Sequence, residues 1–200
     1  TAPTEGELWA RGALSDLRAA RYSPRAWISF LARSFQRSAQ DARRRPELAR
    51  QSLVWGSLGA LAWAGAIALD PRAAWGLAWW ALVVAMLWTH IGMVEGLAAE
   101  PRAGLGPATA LTLLRAWLVP ALPLAVGAPW LFATLFLAAA GADAIDGPLA
   151  RRRGEVTRLG AQTDNAVDTA LALSAAWTAA AAGWLPTWVA LLVSARYLLP

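Results

Sequence analysis

The sequence has 200 residues, of which 58% are hydrophobic and only 16% are charged, a balance that excludes an ordinary soluble domain of this size. The formal net charge is +5, there are 13 tryptophans, and the absence of cysteine excludes disulfide bonds and thiol chemistry. We therefore expect an all-α, polytopic integral membrane protein that forms a helical bundle.

The first 50 residues form an arginine-rich region. They contain ten arginines and five acidic residues, and this surplus of five equals the net charge of the whole chain. Trp27, Phe30, Leu31 and Phe35 share one face of a predicted helix. The pattern is typical of an amphipathic juxtamembrane helix on anionic lipid, or of a solvated helix packed on its own domain or on a partner subunit. We expect no nucleic-acid partner, because topology already explains arginines beside membrane spans.

Six apolar segments follow, and most approach the ~20 residues that a helix needs to cross a bilayer. They cover residues 52–69, 73–95, 108–126, 129–149, 161–183 and 184–200. By the positive-inside rule, residues 1–50 and the loop 151–160 lie in the cytoplasm, and Arg72 is the only arginine in an outer connection. Tryptophans near the predicted outer ends are typical of an aromatic belt: Trp75, Trp79, Trp80, Trp130, Trp184 and Trp188.

Four aspartates interrupt the fourth and fifth apolar segments. Asp143 and Asp146 are three positions apart, and Asp164 and Asp168 are four apart, so each pair lies on one face of its own helix. A carboxylate at the centre of a membrane helix costs ~2.5 to 3.5 kcal/mol, so a cationic partner is required. Because carboxylates are hard oxygen ligands and the chain has one histidine and no cysteine, the spacing predicts a site for Mg²⁺, Mn²⁺ or Ca²⁺ and not zinc.

The stretch 143–168 reads DAIDGPLARRRGEVTRLGAQTDNAVD and fills every fixed position of D-x2-D-G-x2-A-R-x8-G-x3-D-x3-D. This resembles the signature of the CDP-alcohol phosphotransferases, membrane enzymes that build phospholipids from cytidine-diphosphate donors. The resemblance covers roughly residues 105–200, the expected catalytic core. Family members usually carry the motif across their second and third spans, so the two spans within 51–104 are interpreted as an addition. We also expect the chain to be a fragment that lacks the family's last C-terminal spans.

The resemblance implies roles for the aspartates. Two Mg²⁺ ions, with Mn²⁺ possible, would be held by all four: Asp143, Asp146, Asp164 and Asp168. In the family the last aspartate of the motif is the catalytic base, which assigns that role to Asp168.

Five further residues would contact the CDP moiety by resemblance: Thr109, Thr112, Gly147, Arg151 and Thr157. Arg151 is expected opposite a phosphate. Thr109 and Thr112 come from an upstream P-N-x-x-T-x-x-R pattern anchored on Thr112 and Arg115, in which Thr109 replaces the usual asparagine. The alternative for these two threonines is helix N-terminal capping, and for Gly147 it is close helix packing.

The leading hypothesis is an enzyme that transfers a phosphatidyl group from CDP-diacylglycerol to a small, possibly phosphorylated alcohol and releases CMP. Alternatives are transfer of a CDP-linked headgroup to diacylglycerol, an intramembrane prenyltransferase, and a non-catalytic membrane scaffold. The acceptor stays open among inositol phosphate, glycerol phosphate and serine. We expect a homodimer in a bacterial-type inner or plasma membrane, with the active site facing the cytoplasm.

Overall fold

The computed structural model describes residues 5–93, 105–154 and 156–198 of the chain, and this part is all-α, as predicted. Its nine α-helices are α1 Glu5–Ala19, α2 Pro24–Arg44, α3 Pro46–Leu69, α4 Ala74–Thr89, α5 Pro107–Leu118, α6 Ala121–Leu124, α7 Pro129–Arg152, α8 Arg158–Ala181 and α9 Thr187–Leu198. Two short 3-10 turns, Pro71–Ala73 and Ile91–Met93, lie before and after α4.

Three of the described helical segments are long and apolar enough to cross a membrane: Pro46–Leu69, Pro107–Leu124 and Pro129–Arg152. The prediction of six spans is therefore not confirmed. Two of the apolar windows are longer than the helices within them, since α4 has 16 residues and α9 has 12. Pro120 divides the second of the three segments into α5 and α6, because proline has no backbone N–H to continue the helix.

Helices α3 and α4 pack through two reciprocal contacts between a glycine and a tryptophan. A Cβ atom on Gly59 would lie 2.2 Å from the indole of Trp80, and one on Gly76 would lie 2.3 Å from the indole of Trp63. The Trp80 indole N–H also donates to the Gly56 carbonyl over 2.8 Å. Trp80 is thus buried between helices, and its assignment to the aromatic belt is wrong.

Gly59→Ala is expected to lower the free energy of unfolding by about 1–3 kcal/mol, because the new methyl group displaces Trp80 from its site. The matched control is Gly65→Ala on the same helix, where a Cβ meets no atom within 4 Å. Alanine there should leave stability unchanged or raise it by about 0.5–1 kcal/mol. Thermal unfolding in detergent, followed by tryptophan fluorescence, measures both. Equal unfolding temperatures for the two variants would contradict the close contact between Gly59 and the Trp80 indole.

Helices α3 and α4 also hold α5 in place. The backbone N–H of Leu105 donates to Gln51 Oε1 over 2.6 Å, just before α5 begins. Near its other end, the Trp79 indole donates to the Ala116 carbonyl over 2.8 Å, and the rings of Trp63 and Trp117 lie 5.0 Å apart. Trp79, which is partly buried, therefore also takes part in helix packing. These contacts fix the position of α5, which packs against α7 and α8 on its other side.

The N-terminal helices pack on each other and on the start of α3. Trp9 of α1 stacks on Phe30 of α2, with ring centroids 6.4 Å apart. Trp27, Leu31 and Phe35 remain exposed on α2. Part of the predicted apolar face is therefore covered by α1, and contact of the exposed part with lipid stays a prediction.

Candidate active site

A cleft of about 340 Å³ opens between α5, α7 and α8. The last turns of α7 and the first turns of α8 meet there because only a short connection, 153–157, joins the two helices. All five residues predicted to contact a CDP moiety line the cleft: Thr109, Thr112, Gly147, Arg151 and Thr157. Asp146 and Asp164 complete its polar wall.

The four aspartates converge beside this cleft, but they differ in how exposed their side chains are. Oxygen atoms of Asp143, Asp164 and Asp168 lie within 4.8 Å of one another, and these three side chains are partly exposed. Asp146 is different, since its side chain is only 6% exposed. Carboxylates are the ligand type that a hard divalent cation prefers, so these three aspartates are candidate ligands for one.

Arg115 lies at the centre of the cluster, and the sequence analysis did not include it among the site residues. Its Nη1 is 3.0 Å from Asp143 Oδ1, 3.0 Å from Asp146 Oδ2 and 2.8 Å from Asp164 Oδ1. Its Nη2 contacts Asp168 Oδ1. The available signal was the charge itself, because an arginine inside an apolar segment needs an anionic partner.

Thr112 belongs to the cluster and does not cap a helix. Its hydroxyl lies 3.2 Å from the Ala108 carbonyl and 3.3 Å from Asp146 Oδ2, and it can donate to either. Gly106 is the N-cap residue of α5, with no side-chain hydrogen bond. Capping as the alternative role of Thr109 and Thr112 is therefore wrong.

Thr157 is the side chain that caps a helix here. Its Oγ1 accepts a hydrogen bond of 2.9 Å from the Gly160 backbone N–H at the start of α8. A Cβ atom on Gly160 would lie 3.0 Å from Thr157 Oγ1 and 3.6 Å from Thr109 Oγ1. Glycine at this position thus lets the two threonine hydroxyls approach the same point of the cleft.

Gly147 faces Arg151 one turn further along α7. A Cβ atom on Gly147 would lie 3.4 Å from Arg151 Nη1, and its nearest neighbours all belong to that arginine. Because no other helix of the described residues comes within 4 Å of this Cβ position, the close-packing alternative is not supported. The absence of a side chain instead leaves room beside the Arg151 guanidinium within the cleft.

These features describe a helical membrane protein with an acidic cluster beside a cleft whose lining combines polar and apolar residues. Residues 106–199 match the family model for CDP-alcohol phosphatidyltransferase, and this part of the chain is therefore a CDP-alcohol phosphatidyltransferase domain. No curated protein and no solved structure matches the chain.

The matched range contains every predicted site residue and Arg115, and it leaves out α1 to α4. The family consists of transferases that use CDP-alcohols in phospholipid synthesis. Together with the three apolar helical segments, the family indicates an integral membrane protein.

Proposed function

We propose that the protein transfers a phosphatidyl group from CDP-diacylglycerol to a small alcohol and releases CMP. The observation that carries this proposal is the meeting of both aspartate pairs at the edge of the 340 Å³ cleft. A nucleotide-linked pyrophosphate needs hydrogen-bond donors and positive charge, and the cleft offers Thr109, Thr157 and Arg151 among its apolar lining residues. The family domain supports transfer from a CDP-alcohol, and the particular donor and acceptor are proposals.

We propose that divalent cations, Mg²⁺ or Mn²⁺, bind to the aspartate cluster. Asp143, Asp164 and Asp168 would be the first ligands, because their oxygen atoms are close together and accessible. Four carboxylates and one guanidinium leave three negative charges in the cluster, and the pyrophosphate of the donor adds more. Bound cations would supply the positive charge that offsets this repulsion and stabilises the leaving phosphate. The charge balance supports the expectation of two ions.

The walls of the cleft would bind the donor. Arg151 offers a guanidinium for a phosphate, and Gly147 leaves space next to it. Thr109 and Thr157 place hydroxyl groups in the same cleft, both close to Gly160. Each of these side chains can hydrogen-bond the nucleotide or its phosphates without moving a helix.

We propose that Asp168 is the general base. It is the aspartate of α8 that does not line the cleft, whereas Asp164, one turn earlier, does. An acceptor alcohol next to Asp168 would lose its hydroxyl proton to the carboxylate. Its oxygen would then bond to the phosphorus that carries diacylglycerol, and the bond from that phosphorus to the bridging oxygen would break. CMP would leave with the bridging oxygen.

The deciding experiment measures CMP release by the full-length protein in lipid nanodiscs with Mg²⁺. CDP-diacylglycerol would be offered with glycerol phosphate, inositol phosphate or serine. CMP release with one of these alcohols supports the proposal and identifies the acceptor. If CMP is released only when a CDP-linked headgroup is offered with diacylglycerol, the protein instead transfers that headgroup to diacylglycerol. If neither donor releases CMP, the proposal that the protein is an enzyme is contradicted, and a non-catalytic membrane scaffold is favoured.

We propose that the cleft faces the cytoplasm. The described contacts place the start of α5 beside α3 and the start of α8 beside α5, and Asp41 of α2 lies against Gly92 after α4. The arginine-rich N-terminal region and the cleft therefore lie at the same end of the bundle.

Labelling of single cysteines in a chain without cysteine checks this orientation. Ser34→Cys and Arg152→Cys should react with an impermeant reagent only after the inner face is opened. Gly127→Cys, at the opposite end in an exposed turn, should react from outside. Labelling of Ser34→Cys and Arg152→Cys from opposite faces would contradict the helix arrangement.

A further inference from the structure

Arg115 is buried among groups that it does not fully satisfy. Its side chain is 2% exposed, both terminal nitrogens contact carboxylates, and its Nε atom has no hydrogen-bond partner. A buried donor without a partner destabilises the folded state. The guanidinium is therefore held by ion pairs and hydrogen bonds from its two terminal nitrogens to the carboxylates, although this position leaves Nε without a partner.

Three of the four carboxylates that contact Arg115 are also the candidate ligands for a cation. Asp143, Asp164 and Asp168 each contact the guanidinium through Oδ1, and these are the three aspartates whose oxygens gather within 4.8 Å. A cation bound to these three residues would repel the guanidinium beside it. Asp146 stands apart, because it is buried with Arg115 and Thr112.

We propose that Arg115 is the built-in counter-cation of the cluster, and that it competes with divalent cations for the carboxylates. It holds the aspartate pairs of α7 and α8 together, stays anchored by Asp146, and lowers the affinity of the other three aspartates for a cation. This proposal depends on the proposed binding of cations to the cluster, but it does not require that the protein be catalytically active. Arg115 is thus a positioning residue.

The rest of the fold fixes Arg115 in this place. The next residue, Ala116, accepts the hydrogen bond from the Trp79 indole, and Trp117 packs on Trp63. Both partners belong to α3 and α4, which lie outside the matched family region. The two additional helices therefore help to set the rotation of α5 that directs Arg115 into the cluster.

The test compares Arg115→Met, Arg115→Lys and the control Arg72→Met in the full-length protein. Arg72 also pairs with an aspartate, Asp70, but at an exposed turn. Unfolding temperatures are read from tryptophan fluorescence in chelator and in Mg²⁺, and Mn²⁺ affinity is read by electron paramagnetic resonance.

Arg115→Met should unfold at a lower temperature than wild type in chelator, because the carboxylates lose their counter-charge. It should bind Mn²⁺ about tenfold more tightly or better, because a repelling charge is gone. Arg115→Lys keeps the charge and should lie between Arg115→Met and wild type. Arg72→Met should match wild type in both measurements. Unchanged stability of Arg115→Met in chelator, or weaker Mn²⁺ binding, would overturn the proposal.

A double variant keeps the test decisive if Arg115→Met does not fold in chelator. Arg115→Met with Asp146→Asn removes the buried charge on both sides, and it should be more stable than Arg115→Met alone. A double variant no more stable than the single one would overturn the counter-cation role. If wild type binds no Mn²⁺, the proposed cation site fails, while the stability comparison still decides the role of Arg115.

Discussion

Asp168→Asn is expected to reduce CMP release by about 10²- to 10⁴-fold, while the affinity for the CDP-linked donor stays close to that of wild type. Asparagine keeps the shape of the side chain and one oxygen atom, but it cannot accept a proton at neutral pH. Asp168 lies outside the cleft wall, so the donor should lose no direct contact. Turnover by the full-length protein and binding of the donor analogue, measured separately, give the two quantities.

Two control variants make this result specific. Asp146→Asn should lose both turnover and donor affinity, because Asp146 lines the cleft and is bound to Arg115 and Thr112. Asp70→Asn should change neither turnover nor donor affinity. Asp70 is a suitable control because it lies outside the site, and hydrogen bonds from the Arg72 side chain lower its pKa and favour its ionised form. Wild-type turnover in Asp168→Asn would remove the base assignment.

The features that the sequence predicted well are those that depend on one helix at a time. Asp143 and Asp146 share a helical face through their spacing alone, as do Asp164 and Asp168. Because the connection between α7 and α8 is short, the two faces meet without help from distant parts of the chain. The all-α class follows in the same way from composition.

Arg115 shows why the rest was not predicted. Its contacts with Asp146 and Asp168 span 31 and 53 positions, so no spacing along the chain reveals them. Trp79 and Trp80 present the same difficulty, since a tryptophan near a helix end looks alike whether it faces lipid or another helix. Only the packing of α4 on its neighbours shows that both indoles donate to backbone carbonyls of other helices.

Six apolar windows also did not translate into six spans. The hydropathy of a sequence does not show where a helix ends. The windows therefore included residues 90–93, which follow α4, and residues 184–186, which precede α9. The carboxylates of Asp164 and Asp168, which form part of the candidate site, also lower the mean hydropathy of α8. Although α8 has 24 residues, it is therefore not among the three segments that are apolar enough to cross a membrane.

In excess chelator, CMP release is expected to fall to background, and Mg²⁺ or Mn²⁺ should restore it. Arg115 neutralises one of the four carboxylates, so three negative charges would otherwise face the pyrophosphate of the donor. Zn²⁺ should restore turnover poorly, because the described site offers carboxylates and no nitrogen or sulfur ligand. Added Mg²⁺ should also raise the unfolding temperature, since a ligand that binds only the folded state stabilises it.

Single asparagine variants locate the cation within the cluster. Asp143→Asn should weaken Mn²⁺ binding more than Asp146→Asn does, because Asp143 belongs to the accessible group of three, whereas Asp146 is buried beside Arg115 and Thr112. Titration of each variant with Mn²⁺ gives the order of affinities. The reverse order would place the cation on the buried side of Arg115. Full turnover in excess chelator would show instead that Arg115 and Arg151 neutralise the donor without a metal, and the cation site would then have to be abandoned.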